Sequence, residues 1–141
     1  MMRRARMQRV NLTGAYLIDS NLQEIRLGGA TLTGANFGGS KLNNANLVDQ
    51  DLRGVNLEVT DLVNADLTGA NLEGANLYGA NLHEAVLAGA NLKGANLEKA
   101  NLNRADIKRA QLQGANLKGA MMYETRFDAA DLSGADLTMG L

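Results

Sequence analysis

Residues 66–82 read DLTGANLEGANLYGANL, and the same five-letter phrase, alanine, asparagine or aspartate, leucine, any residue, glycine, fills almost the whole chain. With Leu12 as the first centre, every fifth residue to Leu137 is leucine except Phe37, Ile107, Met122 and Phe127, giving 26 centres in one register without an insertion. Two residues before each centre stands a small or β-branched residue, most often alanine, as at Ala65, Ala70 and Ala75. The exceptions cluster early: Ser20, Ile25, Ser40, Gln50, Val55 and Thr60.

A period of five fits neither regular element. On an α-helix five residues turn by about 500°, so successive leucines would spread around the axis instead of lining one face. On a strand an odd period sends successive leucines to opposite faces. The chain must therefore change direction once per repeat. Glycine supplies the means, standing two positions after the centre in 13 of the 26 repeats. A four-residue turn that starts at the centre puts that glycine third, where a type II turn needs positive φ. Gly14, Gly34, Gly54, Gly74, Gly94, Gly114 and Gly134 form a column with a spacing of 20 and no gap. Four repeats that each turn by about 90° close a square and stack residue n on residue n+20. Asn36, Asn56, Asn76, Asn96 and Asn116 share that spacing, and stacked amides can hydrogen-bond from coil to coil.

Composition agrees with a narrow core. Apolar residues make up 45 % of the 141 residues but aromatics only 4 %, so the interior must be aliphatic and small. Two facing layers of leucine would overfill it, which explains the alternation with alanine. Cysteine, proline and tryptophan are absent, which removes disulfides, thiolate chemistry and the usual zinc frameworks. Residues 1–9 form a basic end carrying Arg3, Arg4, Arg6 and Arg9, with room for one irregular repeat or cap, and 140–141 are the C-terminal end. The apolar run of a secretory signal does not follow the arginines, and no membrane span is evident, so a cytoplasmic location is expected.

The uninterrupted tandem of this phrase over residues 10–139 resembles the pentapeptide-repeat family. The resemblance implies an all-β fold, a right-handed quadrilateral parallel β-helix of about 6.5 coils of four repeats, forming a rod about 30 Å long at strand spacing. Centres such as Leu12, Leu32, Phe37, Leu52, Leu72, Leu92, Ile107 and Leu112, together with alanines such as Ala70, would fill the interior. The other three positions of each repeat would face solvent.

Function must then lie in the variable letters. The formal net charge is −1, and without the four N-terminal arginines the body carries −5. Sorted by the period of 20, no face is a charge stripe, and signs alternate up several columns, as at Asp66, Asp106 and Arg126. A body without a basic stripe or interleaved aromatics argues against direct nucleic-acid binding. Catalysis finds little support: His83 beside Glu84 is the one imidazole next to a carboxylate, and neighbouring positions on a turn diverge. No phosphate-loop, cofactor or metal signature is present, because the glycines recur for the turns. The expected role is a non-catalytic structural or protein-interaction module. The alternative comes from the resemblance, since some members of that family mimic duplex DNA and bind type II topoisomerases such as gyrase. Duplex DNA presents about 18 charges over ~30 Å, far more than this body. Outward apolar residues, Tyr16, Ile18, Val48, Val59, Val63, Tyr78 and Val86, read as scattered over different faces. Met121, Met122, Tyr123, Phe127 and Met139 concentrate at the C-terminal end, where they are expected to form either a local cap or an end-to-end dimer contact, the cap ahead of the dimer.

Overall fold

The chain winds into a four-sided coil whose every bridge joins residues 20 apart in parallel, from Arg6 with Arg26 to Asn116 with Asp136. The computed structural model describes residues 2–140; Met1 and Leu141, the outermost residues of the two ends set apart in sequence, lie outside them. Counting from Met2, coil 1 is 2–21, coil 2 is 22–41, and so on to coil 7, 122–140. Where the sequence leaves room for one irregular repeat or cap, residues 2–9 continue the coil as two further repeats. Met2 and Met7 occupy centre positions against the core, and Arg4 and Arg9 take the turn conformation of every later repeat.

Each side of the square follows from one hydrogen-bond cycle. In the repeat around Leu72, Ala75 N donates to Leu72 O at 3.0 Å and closes the corner. The third residue of that corner, Gly74, has φ +64°. Of the standard turns, type II alone has positive φ at that position only. The remaining amides run along the rod: Leu72 N donates to Asn91 O at 2.7 Å, Gly74 N to Lys93 O at 3.0 Å, and Asn71 N to Gln50 O at 2.9 Å. Strand segments are so short that one residue per side makes the bridge.

Positive φ recurs at the third corner residue of every repeat from Arg4 to Met139, held by 13 glycines and 15 other residues. The column Gly14 to Gly134 lies between +61° and +70°. An L-residue with a Cβ pays roughly 1–2 kcal/mol for this conformation, so the fifteen exceptions are held in place by the coil around them. Asn44 and Asn64 tolerate it best, and Val59, which is β-branched, tolerates it worst.

The interior is continuous from Leu17 to Ala120. Leu32, Phe37, Leu52, Ala70, Leu72, Leu92, Ile107 and Leu112 are all buried. Leu12 is only partly buried, since among the described residues coil 1 has a neighbour on one side alone. Polar residues at the alanine position need individual accounts. Thr60 Oγ1 donates to Phe37 O at 3.0 Å, whereas Ser40 Oγ is buried without a partner among the described residues.

Gln50 interrupts the ladder. Its side chain is much longer than alanine and is 4 % exposed, so it enters the corner between coils 2 and 3. With its amide oriented to match its surroundings, Nε2 donates to Leu27 O and Oε1 accepts from Gly29 N, both at 3.0 Å. The main-chain bonds from Leu27, Gly29, Leu32 and Gly34 to the next coil, made at the equivalent positions of other coils, are absent there. So is the bridge that would join Thr31 to Asp51. A shallow opening lined by Thr33, Asp51 and Arg53 marks this seam.

Candidate interaction surfaces

The corner geometry sends three side chains of each repeat outward, and stacking at strand spacing makes each one a neighbour of the residues 20 before and 20 after it. Charges follow this rule. Arg4 Nε meets Glu24 at 2.6 Å, Arg104 Nε meets Glu124 at 2.8 Å, Arg126 meets Asp106 at 3.4 Å and Lys108 meets Asp128 at 3.6 Å. Hydrogen bonds from Arg4 and then Arg3 hold the Glu24 carboxyl below its ordinary range. Tyr123 and then Arg104 do the same for Glu124, and the Arg53 side chain does so for Asp51. Exposed pairs of this kind contribute little stability, but they fix the pattern of the surface.

The asparagine column is fully formed. Asn56 Nδ2 donates to Asn36 Oδ1 at 3.0 Å, and Asn76, Asn96 and Asn116 each donate to the asparagine one coil earlier at 3.2 Å. Asn36 Oδ1 also accepts the main-chain N–H two residues on, from Gly38 at 3.0 Å, and Asn76 Oδ1 does the same from Tyr78 at 3.2 Å. The amide thus ties a corner to its own coil and to the next.

Four of the seven outward apolar residues share one face, which corrects the expectation that they scatter. Tyr16, Ile18, Val59 and Tyr78 all lie in the columns around the centres Leu17, Phe37, Leu57 and Leu77. Tyr16 is 83 % exposed, Ile18 49 % and Val59 59 %. Gly38 and Gly39 leave a notch of about 320 Å³ between Ile18 and Val59. The Lys99 ammonium sits 5.4 Å from the centre of the Tyr78 ring and 3.1 Å from its hydroxyl, which raises the lysine pKa.

A second groove, about 700 Å³, runs along a corner over coils 1 to 4. Arg4, Arg6, Arg26 and Glu24, the last paired with Arg4, wall its first part, short Asn44, Asn46 and Asn64 line its course, and Asp66 stands at its far end.

The remaining sequence candidates do not converge. His83 Nε2 is 3.5 Å from Glu84 Oε1, and Glu84 in turn lies 3.8 Å from Arg104, so this carboxylate belongs to a surface charge column. No group of three potential metal-ligating side chains occurs among the described residues. At the C-terminal end the five residues expected to form a cap or a dimer contact divide by position. Met122 and Phe127 occupy centre positions and are partly buried, while Met121, Tyr123 and Met139 point to solvent, with Met139 78 % exposed. Among the described residues no segment folds across coil 7. Two features escape a reading of the phrase alone, the stacking of Arg6 on Arg26 and the wedge at Gln50. Both are legible in the sequence once residue n is compared with n+20.

No helix among the described residues is long and apolar enough to cross a membrane. The profile of the family described as pentapeptide repeats matches the chain in eight copies, over segments that include 2–34, 32–69, 65–104 and 100–138. Solved structures similar to the chain include HetL, a pentapeptide repeat protein involved in heterocyst differentiation regulation from the cyanobacterium Nostoc sp. strain PCC 7120. It is 27 % identical over 98 % of this chain and 85 % of that one, with a TM-score of 0.39. Rfr23 from the cyanobacterium Cyanothece 51142 is 28 % identical over 96 % and 90 %, with a TM-score of 0.42. QnrB1, a plasmid-mediated fluoroquinolone resistance protein, is 19 % identical over 99 % and 84 %, with a TM-score of 0.36. A search among curated proteins gave no match. The family matches run along the coil from its first described turn to its last, and the chain belongs to the pentapeptide-repeat family, whose fold is the right-handed quadrilateral β-helix.

Proposed function

We propose that the chain is a non-catalytic protein-interaction rod that contacts its partner through the face bearing Tyr16, Ile18, Val59 and Tyr78. The observation that carries this reading is that exposed Tyr16, Ile18 and Val59 and half-buried Tyr78 share the face that holds the Gly38–Gly39 notch, with Ile18 and Val59 at its edges. Outward positions elsewhere are mostly polar, with several charges paired along the columns, so this face offers the contact area that excludes water on docking. Tyrosine suits such a role because a large, stiff ring loses little entropy when it is fixed. The core supports it by holding every outward residue on a corner with few conformations to choose from.

A catalytic role has no comparable support. The one imidazole faces a carboxylate already engaged with Arg104, on a convex corner where both side chains reach solvent. The topoisomerase reading inherits the charge argument: a seven-coil rod of about 30 Å would need roughly 18 negative charges to match duplex DNA, and the chain's formal net charge is −1.

Affinity capture with the wild-type chain and with Tyr16→Ala/Ile18→Asp tests the proposal. A partner enriched by the wild type should be lost with the variant while its melting temperature is unchanged. Equal recovery by both would move the contact to another face. Inhibition or protection of purified gyrase at micromolar protein in a supercoiling assay would instead favour the DNA-mimic reading.

A further inference from the structure

Stacking residue n on n+20 makes every charged column a test of sign. Arg4 over Glu24, Lys41 over Asp61, Arg53 over Glu73, Glu73 over Lys93, Glu84 over Arg104 and Glu98 over Lys118 are all opposite in sign. Those involving Arg104 with Glu124, Asp106 with Arg126 and Lys108 with Asp128 are opposite too. One charged pair breaks the rule: Arg6 and Arg26 face each other directly across a parallel bridge. Like charges at adjacent rungs repel, and here no carboxylate among the described residues lies within ion-pair distance of either. Glu24, the acid that lines the same groove, is already shared by Arg3 and Arg4 at 3.1 and 2.6 Å. Arg9 adds a further guanidinium on the next corner.

The same rung walls the larger groove. A charge pattern that is opposite in sign at every other charged rung and like in sign at one concave place marks a site where function outweighs stability. We propose that Arg6 and Arg26, beside the Arg4–Glu24 pair, form an oxyanion site that takes the phosphate group of a small phosphorylated molecule, whose neutral part lies along Asn44, Asn46 and Asn64. Guanidiniums suit phosphate because their planar forks can each give two N–H donors. The amides beyond them offer donors and acceptors without net charge. Asp66 closes the far end with a negative charge, which disfavours a continuous polyanion running down the rod.

The test uses the full 141-residue chain with sodium pyrophosphate and inorganic phosphate as probes, against sodium chloride at equal ionic strength. Pyrophosphate should raise the melting temperature beyond the chloride control. Arg26→Glu, which turns the rung into an opposite pair like the others, should melt higher than the wild type without ligand and lose the pyrophosphate increment. Arg26→Gln should weaken binding in isothermal titration roughly tenfold or more, which keeps the proposal open to refutation if the glutamate variant folds poorly. Equal increments in wild type and variants, or no wild-type binding up to about 10 mM pyrophosphate, would overturn it. Duplex DNA bound more tightly than pyrophosphate and released by Arg26→Gln would overturn the small-molecule assignment.

Discussion

Val59 and Ser40 show what single residues cost in a fold this repetitive. Val59 holds φ +54° with a β-branched side chain that is mostly in solvent, so the left-handed strain is offset by little burial. Replacement by glycine should therefore stabilise the coil by about 1 kcal/mol despite the greater freedom of the unfolded chain, read as a higher midpoint in chemical denaturation. Ser40 stands at an alanine position, fully buried, with its hydroxyl unpartnered among the described residues. Ser40→Ala removes that penalty and should also stabilise by about 1 kcal/mol, whereas Thr60→Ala, which deletes the bond to Phe37 O, should not. In the sequence these two sites are visible only as departures from the phrase. The spacing marks them as exceptions, but a partner for Thr60 and none for Ser40 depends on where the neighbouring coil's carbonyls fall.

At the scale of the coil, the seam at Gln50 is the main irregularity. The Leu32 side of coil 2 loses its main-chain bonds to coil 3, the Leu27 side keeps the one from Asn46 N to Ile25 O, and one side-chain amide replaces part of what is lost. Amides without ladder partners should exchange readily, so hydrogen exchange at Leu32 and Gly34 is expected to be much faster than at the equivalent Leu72 and Gly74. Gln50→Ala should let the seam close, slow exchange at Leu32 and Gly34, and raise stability by roughly 1–2 kcal/mol. Unchanged exchange in that variant would mean that the gap has another cause. The asparagine column makes the opposite point. Its spacing is evident in the sequence, and the structure adds that each amide bonds within its own coil and to the next, which the spacing alone does not require.

For the molecule as a whole, the sequence carries the architecture because the rule is local: one centre, one small partner and one left-handed corner per five residues, repeated in register. Gly14 to Gly134 are enough to count the sides of the square. Surfaces are harder, because which outward residues meet depends on four faces being folded together. Tyr16, Ile18, Val59 and Tyr78 look scattered along the chain and come onto one face only in the coil. The terminal methionines look like one cluster, and the coil splits them between centre and outward positions. The Arg6 and Arg26 rung needs nothing beyond the period of 20 and can be found by testing every charged pair at that spacing.

All of these surfaces rest on residue n lying over n+20, and the chain has no cysteine to complicate a direct measurement. The double variant Glu73→Cys/Lys93→Cys, at neighbours in one outward column, should form a disulfide under mild oxidation, since stacked strands bring Cα atoms to about 4.8 Å, within disulfide reach. In Glu73→Cys/Ala88→Cys the two positions belong to different faces, so the thiols should stay reduced. Efficient bridging of the first pair and none of the second is the result this account predicts; the reverse, or bridging of both, would contradict the four-repeat coil.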